Sequence, residues 1–141
     1  MTETFTLRLD EIQPSQLYIS KLKLSRVEDL LSSGKIDCIQ PIPIKRLRGF
    51  LMATDGHTRG VAWYRRGHKE VECCWEDMEL DWRAYSICID WCLEEGITSM
   101  EDLTDHIIDH EDFKILWLER CRVMQEELTG TASQDAPDRP P

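Results

Sequence analysis

The chain has 141 residues, 41% of them apolar and 31% charged, with a formal net charge of −10. That length fits one domain with a real hydrophobic core, and no apolar run approaches the roughly 20 residues that cross a bilayer. The excess of acid argues against a protein that binds nucleic acid through the field of the whole chain.

In chain order, MTETFTLRLDEIQPS lacks the basic start and continuous apolar stretch of a secretory leader. A cytoplasmic protein is therefore expected, with its six cysteines as reduced thiols. Phe5, Leu7 and Leu9 alternate with polar neighbours at the period of a half-buried strand, and Pro14 breaks the pattern. LYISKLKL (17–24) fits strand and helix equally. LSRVEDLLSSG predicts a short helix capped by Ser25, with Glu28 completing a capping box and Gly34 ending it. CIQPIPIKRLRGFLMATDG predicts two extended segments around a turn near Arg48-Gly49. HTRGVAWYRRG predicts a helix stopped by Gly67. HKEVECCWE then predicts a strand with Val71, Cys73 and Trp75 on one face.

From about Asp77 the pattern turns helical. Leu80, Ala84, Ile87/Cys88 and Trp91/Cys92 recur with a 3.6-residue period that ends at Gly96. Thr98 with Glu101 forms a second candidate capping box, and Phe113, Leu116/Trp117, Arg120/Cys121 and Met124 share a later face. Residues 129–141, TGTASQDAPDRPP, hold no large apolar side chain and three prolines, so disorder is expected there. The fold class is thus α+β: a small mixed sheet with short helices over 1–76, a helical extension over 77–128 and a tail over 129–141.

Charge is unevenly placed. Residues 41–70 carry seven Lys/Arg against Asp55 and Glu70, whereas residues 71–141 carry five against nineteen. The segment ATDGHTRG (53–60) lies in the basic stretch, after a predicted strand and before a predicted helix. A helix that starts there presents unpaired backbone N–H groups and the positive end of its dipole, which favour an anion. Gly56 lets an oxygen approach the backbone, Thr58 adds a hydroxyl and Arg59 a forked cationic donor. His57 is a candidate donor or proton shuttle. Asp55 is a candidate Mg²⁺ ligand or proton acceptor. The same residues also make an ordinary capped turn.

The order P-S-Q-L-Y-I-S, helix, Q-P-I-P-I, strand, T-D-G-H-T-R-G, helix resembles the ParB/sulfiredoxin superfamily over about residues 5–75. The resemblance implies a nucleotide (ATP, ADP or CTP with Mg²⁺) whose phosphates rest on Gly56, Thr58 and Arg59, with Pro41 and Ile42 upstream in support. It also implies chemistry at Asp55 and His57. Sulfiredoxins carry a cysteine where His57 stands, and ParB proteins a glutamate followed by arginine. The loop is most similar to Asp-Gly-His-His-Arg of free serine kinases, which implies phosphotransfer to a small hydroxylated metabolite such as serine. Those kinases also use a glutamate after the first strand, and this chain has no carboxylate between Glu11 and Glu28. The alternative is a non-catalytic interaction module whose acidic, Trp-bearing helical half docks a basic protein partner. A ParB-like nuclease is the least favoured reading. Cys88/Cys92 and His106/His110 have the spacing of zinc ligands, but the two cysteines fall on an apolar stripe and read as core thiols.

Overall fold

A computed structural model describes residues 3–133. Its elements are β1 (Thr4–Arg8), β2 (Ile12–Gln13), β3 (Ile19–Ser20), α1 (Lys21–Ser32), β4 (Ile42–Leu47), β5 (Phe50–Ala53), α2 (His57–Arg65) and β6 (Glu70–Trp75). There follow α3 (Trp82–Glu94), a 3₁₀ stretch (Met100–His106), β7 (Ile107–Ile108), α4 (His110–Phe113), a π-helical turn (Lys114–Leu118) and α5 (Glu119–Ser133). Among the described residues no helix is long and apolar enough to cross a membrane.

The main sheet has the order β1-β6-β4-β5-β2, antiparallel at β1/β6 and β4/β5 and parallel at β4/β6 and β2/β5. The β4–β5 hairpin closes at Arg48 (φ +55°) and Gly49 (φ +81°), where the sequence places its turn. Two consecutive positive φ angles give the twist that joins antiparallel strands through two residues. Ile42 pairs with Cys73, and both enter one core cluster with Leu24, Leu31, Val61 and Ala62 of α1 and α2. α3 lies along the hairpin. Arg48 Nη1 donates to the Ser86 carbonyl and to Asp90 Oδ1 at 3.0 and 2.8 Å, and Lys45 Nζ stands 4.7 Å from the centre of a Trp82 ring.

Several local expectations change. The ambiguous 17–24 stretch is strand only at Ile19–Ser20 and helix from Lys21. Ser20 rather than Ser25 caps α1, its hydroxyl accepting from Lys23 N–H at 3.3 Å. Ser20 wins because tertiary structure fixes it: its strand pairs in parallel with β7, and its hydroxyl lies 2.8 Å from His110 Nδ1. The second capping box uses Ser99 and Asp102, not Thr98 and Glu101. Asp102 Oδ2 also accepts from the Thr98 N–H at 2.9 Å, so one carboxylate serves two residues. β7 places a strand in the half expected to be all helix. Trp75 is exposed and stacks on Phe5, their ring centres 4.6 Å apart. α5 runs to Ser133, into the segment expected to be disordered, and residues 134–141 lie outside the described residues.

Candidate functional site

Strand β5 ends at Ala53, and the chain turns through Thr54, Asp55 and Gly56 into α2. Gly56 is the N-cap residue at φ +78°, a left-handed conformation that suits glycine, and its carbonyl accepts the Gly60 N–H at 2.9 Å. Asp55 Oδ1 folds back to accept the Gly56 N–H at 2.8 Å, while its side chain stays 82% exposed. Arg59 crosses over the turn. A Cβ on Gly56 would lie 2.8 Å from Arg59 Nη2, so the missing side chain is what admits the guanidinium. Arg59 Nη1 donates to the carbonyls of Gln40 and Pro41 at 3.0 and 3.1 Å, and Nη2 lies 4.0 Å from Asp55 Oδ2.

His57 opens α2 and is 3% exposed. Its Nε2 accepts the Ser15 N–H at 2.9 Å, while Ser15 Oγ donates to the Ala53 carbonyl at 2.7 Å. Burial pushes the imidazole down from 6.5 to about 4, Asp55 opposing and Arg59 reinforcing the shift. The ring is therefore neutral near pH 7. A nitrogen that accepts an N–H carries no proton, so the proton sits on Nδ1. Nδ1 is buried and has no hydrogen-bond partner among the described residues. Of the two roles expected of this residue, donor and proton shuttle, the buried neutral ring suits the donor, because the interior disfavours its charged form.

The Asp55–Arg59 turn forms one wall of a pocket of about 340 Å³. Gln16, Lys23 and Val27 form a second wall, and Phe113, Trp117 and Leu118 a third. Lys23 Nζ lies 5.1 Å from the Phe113 ring centre. The turn thus gathers Asp55, Gly56, His57, Thr58 and Arg59 at one place. Pro41 and Ile42 do not line it: Pro41 anchors Arg59 through its carbonyl, and Ile42 is core at 1% exposure.

No protein-family model matches the sequence, and no curated protein sequence does. Solved structures do match. A Pnob8-like ParB-N domain superposes at a TM-score of 0.53 and 12% identity, covering 98% of this chain and 52% of its own. Protein Atu1540 from Agrobacterium tumefaciens gives 0.46 and 10%, covering 69% of this chain and 50% of its own. The fold is ParB/sulfiredoxin-like. The chain spans about half the length of both structures.

Within this ParB/sulfiredoxin-like frame, the residues beyond the DGHTR motif come from distant segments. Gln16 lies in the P-S-Q-L-Y-I-S segment and Lys23 just after it, in a stretch without a carboxylate to which the sequence assigns no site residue. Trp117 belongs to a stripe that reads as ordinary core, and Leu118 follows it in the chain. A carboxylate does reach the turn from elsewhere: Glu76, just past β6, accepts from Thr54 Oγ1 at 2.7 Å and from the Met78 N–H at 3.2 Å. It braces the residue before Asp55 without lining the pocket. The zinc spacing does not assemble, and among the described residues no group of three His, Cys, Asp or Glu is placed to hold a metal. Cys92 Sγ points to the Gln16 carbonyl at 3.6 Å, and His110 bonds Ser20.

Proposed function

We propose that the chain binds a nucleotide, ATP, ADP or CTP with Mg²⁺, its phosphates resting against the first turn of α2. One observation carries the reading: a single pocket presents Lys23, the first turn of α2 and His57, whose buried, neutral Nδ1–H has no acceptor among the described residues. Leaving such a donor unmatched is costly, and an anionic oxygen supplies what it lacks. Thr58 and Lys23 hold phosphate oxygens, and Arg59 adds positive charge while tying the turn to Gln40 and Pro41. Asp55 is the carboxylate that lines the pocket, exposed at its rim, which suits Mg²⁺ shared with the ligand's phosphates. If phosphoryl transfer to a small hydroxylated metabolite such as serine follows, the exposed Asp55 accepts the hydroxyl proton and His57 acts as a donor.

Titration calorimetry and thermal unfolding with ATP, ADP and CTP, with and without Mg²⁺, test the proposal. A ligand at 100 times its Kd stabilises the fold by about 2.7 kcal/mol, several degrees in Tm. Lys23→Ala, at an exposed position, is expected to weaken binding about 10-fold through loss of a charged hydrogen bond. No stabilisation by any nucleotide, or an unchanged affinity in Lys23→Ala and Asp55→Asn together, rejects it.

One observation favours the second reading, an interaction module. Ile115, Leu116 and Val123 are 66%, 46% and 41% exposed on the segment that also carries Glu111, Glu119 and Glu126. Salt-sensitive binding of a basic amphipathic peptide, with flat nucleotide titrations, would establish it instead.

A further inference from the structure

The pocket beside α2 continues past His57. A second compartment of about 230 Å³ shares Gln16, His57, Trp117 and Leu118 with the first and is completed by α3 and α5. Its own walls include Ala84, Tyr85, Cys88, Cys121, Met124 and Gln125. In a chain whose residues are 31% charged, no formally charged side chain among the described residues lines this space. The first compartment, by contrast, is edged by Lys23, Asp55 and Arg59.

That difference sorts what each space can accept. A phosphate or carboxylate drawn into the second compartment loses its water and meets no opposite charge, which is strongly unfavourable. An uncharged group with a flat apolar body meets Trp117 and the Tyr85 phenol instead. Tyr85 is held in place by donating its hydroxyl to the Thr54 carbonyl at 3.1 Å. The polar groups that remain are neutral. The neutral His57 ring stands at the junction, and the Gln125 amide, exposed at the mouth, offers a donor and an acceptor. A flat uncharged ring with donors and acceptors on its rim, joined to a phosphate-bearing part, is a nucleotide's base.

We infer that the compartment bounded by α3 and α5 seats the nucleobase of the ligand whose phosphates lie on α2, with Gln125 reading the base edge. The inference rests on the proposed nucleotide binding and adds what the helical extension does in it. The extension closes one side of the site and selects the ring.

The experiment compares ATP and CTP with inorganic tripolyphosphate, each with Mg²⁺, by calorimetry on the full chain. At least one nucleotide binds about 10-fold or more tightly than tripolyphosphate. Gln125→Ala, a change at an exposed position, weakens that nucleotide about 3- to 10-fold and leaves tripolyphosphate unchanged. Lys23→Ala weakens both. A second measurement needs no variant: the rate at which iodoacetamide alkylates Cys121, resolved by peptide mapping. Cys121 is partly exposed, and a hydrogen bond from Cys88 lowers its pKa, so it reacts more readily than the buried thiols. The nucleotide slows this alkylation and tripolyphosphate does not, while exposed Cys38 reacts equally in both. Equal affinities together with unprotected Cys121 overturn the base site and leave phosphate binding standing. No binding by any of the three overturns both.

Discussion

At the scale of single residues, His57 links folding to pH. In the unfolded chain its imidazole titrates near 6.5, and in the folded chain near 4, because burial disfavours the cation. Between those values the unfolded state holds a proton that the folded state refuses, so stability rises with pH across the window. The contribution is complete above pH 6.5 and is lost as pH falls toward 4. Its full size is on the order of 3 kcal/mol. His57→Gln removes the titrating ring while keeping an acceptor for the Ser15 N–H. Urea unfolding at pH 7, 6 and 5 is expected to give the wild type a falling stability and the variant a nearly flat one over that range. Matching slopes in the two proteins would show that other groups set the dependence. The same burial is not legible in the sequence: a histidine in a polar loop reads as exposed, and only the hydrogen bond from the Ser15 N–H and the ring's 3% exposure reveal a closed environment.

At the scale of elements, α2 is held on two sides. Its first turn is strapped by Arg59, and its middle lies against the 3₁₀ stretch through Gly60 and Met100. A Cβ at Gly60 would stand 2.9 Å from Met100 Sδ and 3.0 Å from Cγ, and Met100 is fully buried. Gly60→Ala therefore gains helix propensity but overpacks a closed contact. A net loss of about 1–3 kcal/mol in chemical denaturation is expected, and a neutral or stabilised variant would show that Met100 has room to move aside. Strand, turn and helix around DGHTR were legible because period and turn chemistry are local there: alternating residues, then Asp-Gly, then a helix stopped by Gly67 (φ +94°). The caps were less so. Ser20, Ser25, Thr98 and Ser99 are chemically interchangeable as N-caps, and the β3–β7 pairing and the Asp102 carboxylate decide among them. The back of the site was illegible for a similar reason. Phe113, Trp117 and Met124 do turn inward as the helical period predicts, but nothing in that stripe distinguishes a core wall from a pocket wall.

At the scale of the whole molecule, the sheet-bearing half and the helical half share one interior. The buried cluster joins Leu9, Ile12 and Ile44 to Cys92, Met100, Leu103 and Trp117. β3 finds its partner strand in β7, and Gln13 Nε2 reaches across to donate to the Ile97 carbonyl at 2.9 Å. Ending the chain at Asp77 would remove Ile97, Met100 and Leu103, each at most 1% exposed, and strip the partner from β3. Losing one large buried side chain costs about 2–5 kcal/mol, and a domain's total stability is about 5–15 kcal/mol. Several such losses at once exceed it. The fragment 1–77 is therefore expected to lack a cooperative urea transition and native-like circular dichroism, measured beside the full chain in the same buffer. A sharp transition in the fragment would mean that the sheet-bearing half is an independent unit with the helices docked onto it. The distinction bears on the site, because His57, Gln16 and the α2 turn form one side of the pockets and Trp117, Leu118 and Tyr85 the other. If the halves fold together, ligand binding and global unfolding are coupled, and a ligand that fills the site would raise the stability of the entire chain rather than of one half.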